Sequence, residues 1–437
     1  MGIAFRRVLR CFFKRTMTQR RPLPHLLPMA AAALLATLPG WSAAETSPYY
    51  VGISQGFTAD TNVFRVPDSF GKSRDLISST GLLAGIDQPF SRMRLGAKAS
   101  VNWNNFVNNK QLNNTSHDVL ATLEGSTIER ISGDVMLYDR ANLNRYDLSA
   151  AEGASTAKDV LHVTGGALRG RVGLVTMWTL EGGYSYEQAT HSLDTFSNRD
   201  VRQGAVNAGI RFAPSDLWSV RLGVRRTDGK YPRFLSSSGA TVGDDFTRDD
   251  VDLSFTWVPT GNSKFDARLS NTKEEHSVQE QRDSRGWTGL VGYDWTLTGK
   301  TRMRFQFARD SGAGRSDSDL GLLTESSDTQ VRDSLLWKTT WDATSKISVN
   351  SALGYSRRKL DNAFSITGGG VTATDASTAR DRLTTVGLNA SYEALRNLRI
   401  GCGVYYERRT VEGDNNVNTT YPYDVTTGMC NVALTLR

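Results

Sequence analysis

From Gly286 to Asp310 the side chains alternate along the chain. Trp287, Val291, Tyr293, Trp295 and Leu297 take the odd positions, and Thr288, Asp294 and Thr296 the even ones. After Thr298-Gly299-Lys300 the pattern returns, with Met303, Phe305 and Phe307 set against Arg302, Arg304 and Gln306. Successive Cβ atoms of a strand point to opposite faces, so this period predicts two strands. A three-residue connection containing Gly predicts the hairpin turn. Folding about Gly299 sets Trp295 opposite Met303, Tyr293 opposite Phe305 and Val291 opposite Phe307. It also sets Asp294 opposite Arg304. One face is a wall of large apolar groups and the other is polar. A chain of such hairpins needs a solvent for each face, and that need restricts the fold.

The same unit recurs from Glu45 onward. Met93, Leu95, Ala97, Val101 and Trp103 alternate with Arg94, Lys98 and Asn102. Val220, Leu222 and Val224 alternate with Arg221 and Arg225, and Val251, Leu253, Phe255 and Trp257 with Asp252, Ser254 and Thr256. Short turns are predicted at 88–92, 130–132, near 170–175, and at 214–216, 259–263, 298–300, 343–346 and 394–397. Long polar loops are predicted at 59–73, 107–115, 141–157, 190–198, 228–245, 277–285, 311–326, 360–377 and 412–422. Eight short turns alternating with nine long loops imply 18 strands, with 16 also compatible. A soluble β-sandwich would alternate too. However, no second set of elements is present to cover so much apolar sheet, whereas lipid covers it directly. Trp218, Trp257, Trp295 and Trp341 all fall near short turns, as an interfacial girdle requires. The expected fold class is therefore all-β: a transmembrane antiparallel up-and-down β-barrel over 45–437, in the outer membrane of a Gram-negative bacterium, with outer-membrane lipid as its first partner.

Residues 1–44 read as a signal peptide. Seven basic residues precede the short apolar segment Leu26 to Leu38, and Ser42-Ala43-Ala44 follows. The whole chain has 52 Lys+Arg and 45 Asp+Glu; without the seven leader cations, 45 of each remain and the net charge is zero. The basic balance belongs to the leader, so no nucleic-acid footprint survives. The four histidines beyond the leader, His117, His162, His191 and His276, fall in no metal-ligand spacing along the chain. No phosphate-binding Gly loop and no nucleophile–base pair appears. The sequence therefore predicts neither catalysis, nor a cofactor, nor a metal.

The polar face is the candidate lumen. Arg94, Lys98, Arg221, Arg225, Arg268, Arg302 and Arg304 are expected to face inward, with Asp294, Asp252, Asp266 and Glu181 as acidic counterparts. On this set cations outnumber carboxylates. That favours anionic or sugar-rich cargo, against the alternative of a self-neutralising ladder such as Asp294–Arg304. Cys402 and Cys430 share the lipid-facing register of the last two strands. They are either a cross-strand disulfide or two small apolar residues, which a mass shift on reduction and alkylation separates.

Asp60-Thr61-Asn62-Val63-Phe64-Arg65 resembles a signature after the first strand of β-barrel porins encoded in exopolysaccharide operons, the EpsL type. Thr61 stands where those proteins usually carry Ser. Arg226-Thr227-Asp228-Gly229-Lys230-Tyr231-Pro232, Gln281-Arg282-Asp283, Tyr293-Asp294-Trp295 and Thr298-Gly299-Lys300-Thr301-Arg302 resemble the same family. The resemblance implies a barrel acting in exopolysaccharide biosynthesis or export, beside a periplasmic polysaccharide-export protein. It carries over no catalytic or binding residue. A general diffusion porin for small solutes and a non-conducting docking barrel are the alternatives.

Overall fold

The computed structural model describes residues 47–127, 130–144, 156–173, 177–235, 241–278, 282–311, 330–368, 371–413 and 421–437. The expected leader, 1–44, lies outside them, as do parts of the loops expected at 141–157, 311–326 and 412–422.

The chain forms a strand wherever the period-two pattern runs. β1 (Tyr49–Asp60), β2 (Asp75–Phe90), β3 (Met93–Phe106), β4 (Asn114–Ser126), β5 (Ile131–Leu143) and β6 (Val160–Val172) build the first third of the wall. β7 (Trp178–His191), β8 (Val201–Ser215), β9 (Trp218–Leu235), β10 (Thr241–Thr260), β11 (Ser263–His276) and β12 (Ser284–Thr298) follow. β13 (Thr301–Ser311), β14 (Gln330–Asp342), β15 (Ile347–Gly368), β16 (Val371–Leu395), β17 (Leu398–Gly413) and β18 (Tyr423–Leu436) complete it. Each strand pairs antiparallel with its neighbours in sequence, and β1 also pairs with β18, so the 18-stranded sheet closes on itself. Closure leaves no unpaired edge. Among the described residues no helix is long and apolar enough to cross a bilayer; the strands do the crossing.

The hairpin of β12 and β13 has the register that the alternation predicts. Trp295 faces Met303, Tyr293 faces Phe305, Val291 faces Phe307 and Asp294 faces Arg304, with a bulge before the Gly299–Lys300 turn. Around the barrel one parity is apolar and solvent-accessible on an isolated molecule: Val51, Leu82, Leu137, Leu168, Val206, Leu222, Leu253, Leu335 and Leu388 all stand half exposed. Among the described residues no element covers them, so lipid does, and this is the wall of an outer-membrane barrel. Trp218 pairs with Trp257, Ser263 with Trp295 and Thr301 with Trp341, which sets the four indoles in one tier at the short-turn end. Trp178 and Phe212 extend the tier, their ring centroids 4.5 Å apart. Short turns mark the periplasmic end and long loops the external one.

Two predicted loops are largely strand. β9 runs to Leu235 and β10 starts at Thr241, so the loop expected at 228–245 shrinks to its tip. β15 and β16 pair out to Gly368 and Val371, across the loop expected at 360–377. These stretches project beyond the lipid band. Neither face there meets hydrocarbon, so alternation fades although the ladder of backbone hydrogen bonds continues.

Candidate functional site

The inward parity is polar from end to end. Arg94, Lys98, Arg221, Arg225, Arg268, Asp294, Arg302 and Arg304 all lie on it, opposite in face to Trp103, Leu222, Leu269, Trp295 and Phe305 of the same strands. Most of the guanidiniums named there have a carboxylate within reach. Arg94 is bidentate to Asp87, at 2.6 Å from each nitrogen. Arg221 donates to Glu181 at 2.6 Å, Arg225 to Asp250 at 2.8 Å, Arg302 to Asp342 at 3.0 Å and Arg304 to Asp294 at 2.8 Å. Arg169 and Arg171 share Asp134, and Arg358 is bonded to Asp381. The inward carboxylates are therefore more numerous than the four expected. Asp87, Asp134, Asp250, Asp342 and Asp381 face the same space and are missed when only four acidic positions are considered. Cross-strand register pairs opposite charges, and a mixed ladder results.

At the external end three loops turn inward and meet. The β1–β2, β3–β4 and β7–β8 loops each contain a short 3-10 turn, at Asp68–Phe70, Lys110–Leu112 and Asp194–Arg199. Val63, Phe64, Leu112 and Phe196 pack with the inward-facing Phe106 into one buried cluster, and Ile77 leans against it. Leu112 is 0% and Phe196 2% exposed. Burying each such side chain contributes roughly 1.5–3 kcal/mol. The sequence carries a signal for both: each is a large apolar residue inside a mostly polar loop, which marks an anchor.

The segment from Asp60 to Arg65 builds the first of these loops. Asp60 accepts the Asn62 N–H at 2.8 Å and the Arg65 guanidinium at 2.9 Å. Asn62, wholly buried, donates to the carbonyls of Val66 (2.8 Å) and Asp424 (3.2 Å) and accepts from the Val66 N–H. Arg65 takes a left-handed φ of 50°, and its side chain also donates to the carbonyls of Asn62 and Val63. Lys72 clasps the loop to β18. Its ammonium is held above the ordinary lysine range, first by the hydrogen bond to Asp424 and then by the one to Asp68, while burial opposes both.

Two further stretches, Arg226–Pro232 and Arg282-Asp283, meet at a second anchor, inside β9, β10 and β11. Arg282 lies over the Tyr231 ring at 4.5 Å, and Asp283 accepts the His276 N–H at 2.7 Å. His276 is sandwiched between Asp244 (2.9 Å, Nδ1) and Glu274 (3.1 Å, Nε2), with the rings of Phe246 and Tyr231 stacked beside it. Gly229 sits opposite Phe246, and any Cβ there would strike that ring. The short motifs of the chain thus hold the mouth of the barrel in shape. Asp200 is a third anchor of this kind: it accepts from the His191 N–H at 2.7 Å and from Arg233 at 2.9 Å.

The outer face carries two polar or reactive features. Cys402 and Cys430 are opposed in register with Cα atoms 4.1 Å apart, and their sulfurs are bonded. Near the external rim, β4, β5 and β6 bring His117, Asp139 and His162 together, their ligand atoms all within 4.8 Å of one another. Spacing along the chain does not reveal this group, because cross-strand register assembles it.

No family model and no curated protein matches this chain. Among solved structures it is similar to the outer membrane protein opdK from Pseudomonas aeruginosa, at 12% identity over 89% of this chain and 99% of that one, with a TM-score of 0.44. OprD from the same organism gives 11% identity over 90% and 97%, with a TM-score of 0.46. The siderophore receptor PirA from Acinetobacter baumannii gives 8% identity over 90% and 81%, with a TM-score of 0.43. Scores this low carry nothing about cargo, which has to be argued from the barrel's own geometry.

Proposed function

We propose that this chain is an outer-membrane channel for small polar solutes, with weak preference for the sign of their charge. The mixed ladder of inward charges carries the reading. A wall built of Arg–carboxylate pairs needs water beside it, and paired charges leave little net field to select ions. The loops that meet at Phe196 narrow the mouth, which suits solutes better than a wide polymer. Planar-bilayer recording in a potassium chloride gradient tests this. Stepwise conductance with a reversal potential near zero is expected. Absence of steps, or strong selectivity for either ion, overturns it.

A second reading is favoured by the segments at 60–65, 226–232 and 281–283, which resemble barrels of exopolysaccharide operons. Here the cargo is an exopolysaccharide and the partner a periplasmic polysaccharide-export protein. The support is that residues of these segments build the anchors of the mouth, so a resemblance there is one of mouth construction. Surface polysaccharide left unchanged by deletion of the gene rejects this reading and leaves the solute channel standing.

A further inference from the structure

On the external rim, facing away from the lumen, β4, β5 and β6 bring polar side chains onto a parity that is apolar farther along the wall. His117 and His162 are both opposite Ala141, one from each side. Their rings stand 5.9 Å apart at 66° and cover the Ala141 methyl, which is only 8% exposed. Asp139, two residues along, reaches between them. His117 Nε2 lies 2.8 Å from one carboxylate oxygen and His162 Nε2 2.7 Å from the other. The Thr164 hydroxyl donates to Asp139 at 2.6 Å. Trp103, on the neighbouring strand, faces the same way as His117, and Val119 and Leu137 lie next along the wall toward the lipid. The group therefore marks the upper border of the apolar band, and its side chains are a third to a half exposed.

We propose that His117, Asp139 and His162 form a three-ligand site for a zinc-class divalent cation on the outer wall. Two imidazole nitrogens and one carboxylate oxygen are a donor set that first-row transition ions prefer over magnesium or calcium. Both imidazoles turn the same atom, Nε2, toward one carboxylate, and the three ligand atoms lie within 4.8 Å of one another. A hydrolytic relay is a poor fit. His162 Nε2 makes both the contact to Asp139 and the 3.4 Å contact to Thr164, whereas a relay needs the acid and the hydroxyl on different ring nitrogens. On binding, the cation takes the place of the hydrogen on each Nε2, and each imidazole stays neutral by carrying its one proton on Nδ1, exchanged through water. Thr164 acts as a positioning residue, since its hydrogen bond fixes the carboxylate. Three strands locked in one ladder hold the ligands, so little ordering cost attends binding. The remaining coordination positions open outward, toward the aqueous border of the outer leaflet.

The test uses tag-free protein in detergent micelles, freed of metal with a chelator and titrated with zinc chloride by calorimetry. One equivalent of zinc is expected per barrel, with no heat from magnesium chloride. His117→Ala and His162→Ala each weaken binding by at least about tenfold, and Thr164→Val by roughly tenfold. The heat-dependent gel shift of a folded barrel shows that each variant is intact. Failure of the wild-type protein to bind zinc, or undiminished one-to-one binding by the intact His117→Ala/His162→Ala variant, overturns the proposal.

Discussion

Asn62 has no solvent exposure and spends its side-chain amide on three backbone groups, two of Val66 and one of Asp424. Truncation leaves those groups buried without partners, at about 1–3 kcal/mol for each one not rescued by water. Asn62→Ala is therefore expected to release the β1–β2 loop while leaving the wall folded. Limited proteolysis of intact cells reads this, with cleavage in 61–74 at least about tenfold faster than in the parent protein. Asn62→Asp keeps the acceptor for the Val66 N–H but turns a carboxylate oxygen onto the Val66 and Asp424 carbonyls, so it is expected to release the loop at least as much. Cleavage unchanged in Asn62→Ala would show that the loop is held by its apolar residues alone. Asp60 and Asn62 were legible in the sequence as turn-formers. Their burial against β18 was not, because Asp424 lies at the far end of the chain and only barrel closure brings it near.

A strand here is defined by the contrast between its faces. Leu253 of β10 sits between Leu222 and Leu269 on the lipid side, and Ser254, the next residue, faces the lumen. Leu253→Arg is expected to cost about 2–4 kcal/mol, since it places a cation in hydrocarbon near the middle of the wall. Ser254→Arg puts the same group into water and is expected to cost much less. The urea midpoint of the folded-to-unfolded gel shift measures both; equal losses would refute the assignment of faces. Strands in the lipid band were readable residue by residue because one parity has to be apolar there. Beyond the band, in the outer parts of β9, β10, β15 and β16, that contrast disappears and composition alone resembles a loop.

At the scale of the molecule, the proposed channel is tested at its mouth. Phe196 lies in the β7–β8 loop, yet packs with residues of the β1–β2 and β3–β4 loops. Phe196→Ala removes a buried aromatic ring from that junction, at about 3–5 kcal/mol of cluster stability. A larger and noisier unitary conductance in planar bilayers is expected. Phe70→Ala, at an exposed position in the β1–β2 loop, serves as the control and is expected to leave conductance unchanged. Equal conductance in all three proteins would mean that the junction does not limit the pore.

The sequence by itself determined the strands of the lipid band, their two faces, the tier of indoles at the short turns and the Asp294–Arg304 pair, and it held their number to 18 or 16. Each of these follows from local alternation set against two solvents, which no distant contact can alter. Tertiary structure alone decided the charge balance of the lumen, the joining of three loops at Phe196, the anchor around His276 and the convergence of His117, Asp139 and His162. These depend on which residue stands across the ladder or across the mouth. Register between neighbouring strands and closure of β1 on β18 fix that geometry, and neither is written into the period of any single strand.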